Sequence, residues 1–69
     1  MVTTEILVKY EDMLGDGEKI IERFTYTFHR MTFLGFLCSN IRKRVVKELF
    51  QRGVIVKELK ELEMIIEFD

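Results

Sequence analysis

The chain has no proline, a single cysteine (Cys38) and a single histidine (His29) in its 69 residues. One cysteine excludes an internal disulfide and favours a reducing compartment, so a cytoplasmic location is expected. One histidine leaves a structural zinc site without its usual ligands. Linkers, low-complexity tracts and internal repeats are also lacking, so residues 1–69 read as a single small domain. No basic stretch followed by an apolar run opens the chain, and no signal peptide is expected. The longest apolar run, 33–38, is broken by Gly35 and is too short to span a bilayer.

What is present reads as a folded, soluble chain, since 48% of the residues are apolar and 33% are charged. A chain of this length sits near the lower limit of what a lone hydrophobic core can hold together. With disulfide and zinc set aside, a second copy is the remaining support, and a homodimer is expected.

The formal net charge is only −1, which argues against a generic polyanion binder, but the charges are segregated. Residues 1–22 carry Glu5, Glu11, Asp12, Asp16, Glu18 and Glu22 against Lys9 and Lys19. Residues 23–53 carry seven bases against Glu48 alone, and residues 54–69 carry five acids against Lys57 and Lys60. Such a dipolar chain can attract itself or a charged partner.

Two β-rich segments are expected, 3–13 and 19–30, joined by Gly15-Asp16-Gly17. A two-residue turn at Asp16-Gly17 scatters the apolar residues over both faces. A three-residue loop pairs Leu14 with Glu18, Val8 with Phe24, Ile6 with Tyr26 and Thr4 with Phe28. That register gathers Ile6, Val8, Tyr10, Phe24, Tyr26 and Phe28 on one face, with Gly17 free to take the left-handed conformation. The other face would then show Arg23, Thr25, Thr27 and His29 beside Leu7, Lys9, Glu11 and Met13. It lacks the aromatic residues of a platform for single-stranded nucleic acid.

A single helix of about 20 residues is expected next, with Thr32 as N-cap, Met31 and Phe36 as a hydrophobic staple, and Gly53 as the stop. Val54 can fold back on Leu49 in a Schellman motif. Gly35 and Ser39-Asn40 are weak helix formers, so a break near residue 39 is an alternative. At about 100° per residue, Leu34, Leu37, Cys38, Ile41, Val45 and Leu49 form the core stripe, while Phe36, Val46 and Phe50 fall on nearly the opposite side. After Gly53, strand periodicity in 61–68 and strand character in 54–56 are out of phase at Leu59. A bulge or break within 57–60 repairs this, and a short helix from Glu58 is the alternative. The fold class expected is α+β, ββαβ, with a mainly antiparallel three-stranded sheet in order 2-1-3 and one helix packed on one face.

A helix on a three-stranded sheet buries one side, so Phe36, Val46 and Phe50, with Lys43 beside them, form the candidate interface for a second copy or another protein. Coverage within the chain, by a helix break or by the C-terminal segment, is the competing reading. Arg42, Arg44 and Lys47 are the candidate anion or nucleic-acid contacts, although a solvated helix side is the better explanation of them. No catalytic, metal-binding or cofactor residue is assigned. His29 and Cys38 lack a third orienting group, a cysteine on an apolar stripe is usually a core residue, and the acids near the turn miss the calcium-loop spacing.

The layout, an acidic hairpin, a helix and an acidic strand, is similar to small accessory proteins of phages and mobile elements, a likeness of architecture that points to no one family. It implies a non-enzymatic protein-binding module of accessory or inhibitor type, homodimeric, whose acidic segments could imitate nucleic-acid phosphates before a basic protein. A nucleic-acid-binding regulator and a structural assembly subunit are the rivals.

Overall fold

The computed structural model describes residues 1–15 and 19–69. Its central strand β1 (Val2–Asp12) has the strictest pattern in the chain. Val2, Thr4, Ile6, Val8 and Tyr10 are buried, and the residues between them are half-buried. Alternation of this kind places one face on a core and the other towards water. β2 (Lys19–Phe28) and β3 (Val56–Phe68) flank β1 on either side, both antiparallel, in the order β2-β1-β3. The sheet order and the α+β class are as the sequence implies.

The faces of the hairpin are also as expected, but its pairing is not. Val8 lies opposite Glu22, Ile6 opposite Phe24, Thr4 opposite Tyr26 and Val2 opposite Phe28. The register is thus displaced by two residues from the expected one. A shift of two leaves every side chain on its own face, so burial alone does not choose between the two arrangements. What chooses is the end of β1. The amide of Leu14 donates to Asp12 Oδ1 at 2.7 Å, the amide of Gly15 donates to the Asp12 carbonyl, and the amide of Met13 donates to the Ile55 carbonyl at 2.9 Å. Residues 12–15 therefore turn towards β3, and among the described residues the pairing of the hairpin runs as far as Glu11 and Lys19. The expected pairing of Leu14 with Glu18 and the role of Gly17 lie outside the described residues.

Two helices stand where one was expected. α1 (Arg30–Leu37) follows His29, not Thr32, and Met31 is exposed, so no staple with Phe36 forms. α2 (Ile41–Gln51) follows Asn40, whose side chain accepts a hydrogen bond from the Lys43 amide at 3.2 Å. Ser39 directs its hydroxyl and its amide to the Phe36 carbonyl. Serine and asparagine compete with helical hydrogen bonds through such local contacts, which is why the chain breaks here. α2 closes on the Schellman pattern, with Val54 N–H to Leu49 O at 2.9 Å, Gly53 N–H to Phe50 O at 3.0 Å, and Gly53 at φ 86°.

The break re-phases α1. Phe33 and Phe36 point inward, while Leu34, Leu37 and Cys38, expected in the core stripe, are exposed. In α2 the expected stripe holds, with Val45 and Leu49 buried and Ile41 half-buried. Burying a side chain of this size contributes about 1.5–3 kcal/mol.

β3 resolves the phase problem at Leu59 with two register shifts against β1, between Lys9 and Tyr10 and between Glu11 and Asp12. Lys60 and Lys57 are the extra residues, so Val56, Leu59, Leu62 and Met64 all reach the helix side. The short helix from Glu58 is not formed.

Candidate interaction surfaces

The helix side of β2 and the inner side of α1 build an aromatic cluster. Tyr26 and Phe28, two residues apart on one strand face, stack at 5.9 Å between ring centres. Phe36 descends from α1 onto both, at 5.7 Å from Tyr26 and 4.9 Å from Phe28. Phe33 meets Phe28 at 6.1 Å and stands T-shaped to Phe68 at 6.0 Å. Each such pair contributes about 0.5–1.5 kcal/mol beyond area burial. Arg44 of α2 closes the cluster from outside, over Phe36 at 5.1 Å, and Arg52, the C-cap of α2, lies over the neighbouring Phe24 at 4.6 Å.

Phe36 is therefore 3% exposed and belongs to the core, apart from Val46 (37%) and Phe50 (65%). Those two remain on the outside of α2, four residues apart and so on one face. Lys43 is exposed on the same helix. The expected interface thus splits into a core residue and an outer strip of α2.

The expected anion contacts divide as well. Arg42 donates to the Leu59 carbonyl at 3.2 Å, and Arg44 lies on the Phe36 ring. Both serve the fold. Lys43, Arg44 and Lys47 lie along one open side of α2, together with Asn40, Glu48 and Gln51. Glu48 offsets part of the positive charge there.

The open face of the sheet is dressed with charge pairs. Glu5 meets Arg23 at 2.9 Å, Lys9 meets Glu61 at 3.7 Å, and Glu11 lies 3.8 Å from Lys57 and 3.9 Å from Lys60. Pairs this exposed contribute little each, but they fix which charges are already answered within the chain. Ile21 and Ile65 stand among them, both exposed.

Two tyrosines feel their surroundings. Burial raises the Tyr10 pKa, with the negative charges of Glu22 and Asp12 adding to it, and its hydroxyl reaches Glu22 Oε1 at 3.5 Å. Burial also raises that of Tyr26, reinforced by Glu48 and opposed by Arg44 and Arg52. Thr4 Oγ1 is buried and has no hydrogen-bond partner among the described residues.

No grouping for chemistry stands out among the described residues. The length of α1, about 12 Å, separates His29 before it from Cys38 after it. No cluster of three or more metal-binding side chains occurs among them. Among the described residues no helix is long and apolar enough to cross a membrane.

Sequence reasoning missed the arginines that cap the rings and the outward turn of Leu34 and Leu37. The available signal was Ser39-Asn40 before a run of helix formers, a helix stop followed by a new N-cap. No protein-family model, no curated protein and no solved structure matches the chain.

Proposed function

We propose that the chain is a non-enzymatic protein-binding module of accessory or inhibitor type that works as a homodimer, with the outer strip of α2 as its docking surface for another protein. One observation carries this reading. Thirteen large apolar side chains are exposed among the described residues, beside nine that are buried and nine half-buried against the core. A chain with more apolar surface than its own sheet shelters gains stability from contact with other molecules. Val46 and Phe50 supply anchors on one helical face, and Lys43 beside them suits an acidic rim on the partner.

The test measures solution mass over a concentration series, together with capture from cell lysate by the native chain and by a Val46→Glu, Phe50→Glu variant. The reading expects twice the chain mass, and a captured protein that the variant loses while keeping its native mass. A chain monomeric at every concentration would overturn the homodimer. Capture indifferent to the two glutamates would overturn the α2 strip.

The bases Lys43, Arg44 and Lys47 on one open side of α2 favour a second reading, a nucleic-acid-binding regulator in which Arg42 also takes part. Its mark is binding that falls steeply with salt and with the loss of those charges. Because Arg42 and Arg44 are already engaged within the fold, it stands second.

A further inference from the structure

The sheet has two open edges, and they are defended very differently. β3 carries two bulges, at Lys57 and Lys60. Arg42 occupies the Leu59 carbonyl, and Glu58, Glu61, Glu63 and Glu67 punctuate the strand. Bulges, lysines and repeated charges are the devices that keep an edge from pairing with another chain. β2 has none of the backbone devices. It runs from Lys19 to Phe28 without a register shift, contains no proline, and is made mostly of β-branched and aromatic residues.

The charge pattern separates the edges further. A second copy pairing edge to edge about a two-fold axis normal to the sheet runs antiparallel, with residues of like parity opposed. For β3, every axis position from Glu61 to Ile65 opposes glutamates: Glu61 with itself, Glu61 with Glu63, Glu63 with itself, Glu61 with Glu67, or Glu63 with Glu67. For β2, axes at Ile21, Glu22 and Arg23 also oppose like charges. An axis at Phe24 opposes none, with an overlap as long as any other axis gives. It sets Phe24 against Phe24, Arg23 against Thr25, Glu22 against Tyr26 and Ile20 against Phe28 of the second copy. Directly opposed like charges destabilise a sheet, whereas aromatic and β-branched pairs stabilise it.

We propose that the second copy of this chain pairs along the free edge of β2, antiparallel and centred at Phe24, giving a continuous six-stranded sheet. The proposal rests on the homodimeric reading above and names the surface that joins the copies. Both sets of helices then lie on one side of the joined sheet, and the α2 strips stay free for another protein.

Thr25 provides a test specific to this register. It is exposed on the open face, opposite Glu5 within the chain and opposite Arg23 of the second copy. Thr25→Lys places a base beside Glu5, which favours the single chain, but opposes it to Arg23 twice across the axis. Thr25→Glu does the reverse on both counts. Sedimentation equilibrium should show dimerisation weakened about tenfold or more by Thr25→Lys and kept or tightened by Thr25→Glu. Phe50→Glu should leave it unchanged, and circular dichroism should show all three chains folded.

A native dimer that Thr25→Lys leaves intact, or that both Thr25 variants weaken alike, would overturn the β2 edge while leaving the homodimer standing. A native chain that remains monomeric would overturn both.

Discussion

Truncation of two phenylalanines, one on each helix, should separate core from surface. Phe36 is 3% exposed and rests on Tyr26 and Phe28, under Arg44. Phe36→Ala removes a core ring, at a cost of about 3–5 kcal/mol, and forfeits two aromatic pairs. Chains of this length have in total roughly 3–10 kcal/mol, so this variant should be largely unfolded. Phe36→Leu, which keeps much of the volume, provides a graded companion at about 1–1.5 kcal/mol. Phe50 is 65% exposed, and Phe50→Ala should stay within about 0.5 kcal/mol. Urea unfolding followed by far-ultraviolet circular dichroism reads all three. With a slope near 1 kcal/mol per molar, Phe36→Leu shifts the midpoint by about 1 M. If Phe50→Ala proved as damaging as Phe36→Ala, or Phe36→Ala were harmless, the helix break would not set the phase described here, and the core assignment would fall with it.

Three further outcomes follow from the packing. Thr4 Oγ1 is buried with no partner among the described residues, so Thr4→Val should be neutral or raise stability by about 1 kcal/mol in the same urea assay. Asn40→Ala removes the side-chain cap on the Lys43 amide. It should cost about 1 kcal/mol, seen as a lower Tm with reduced helical signal. Tyr10 and Tyr26 have pKa values raised above the ordinary 10.0. Their contribution is fully present below that value and is lost as pH rises through the folded pKa, because the unfolded phenols ionise first. Stability should therefore fall with increasing alkalinity above about pH 10, and less steeply in Tyr10→Phe. A flat profile through that range would contradict the burial of the phenols.

The parts of the fold readable in the residues are those set by local period. Alternation in 2–12 and in the hairpin partner determined which side chains face the helices. The misfit of Leu59 with its neighbours announced the irregularity in β3. Pairing register was not readable, because a displacement by two preserves both faces. Of the deciding contacts, the hydrogen bond from Met13 to Ile55 joins segments far apart in the chain. The helix break was visible at Ser39-Asn40, but its consequence was not. Carrying one helical phase across Asn40 puts Phe36 beside Phe50. Restarting the phase there sends Phe36 to the core and Leu34 and Leu37 outward. Of the expected interface, Val46, Phe50 and Lys43 keep an outward position. The sequence offers Arg44 as an anion contact or a solvated charge, and its place on the Phe36 ring depends on tertiary packing that no local pattern encodes.

Amide hydrogen exchange along β2 and β3, measured at a low and a high protein concentration, tests most directly the claim that two copies join at β2. Alternate β2 amides, those facing away from β1, should slow markedly in the concentrated sample, while the outward amides of β3 exchange alike in both. Outward β2 amides that exchange equally fast at both concentrations, in a sample whose mass has doubled, would contradict it.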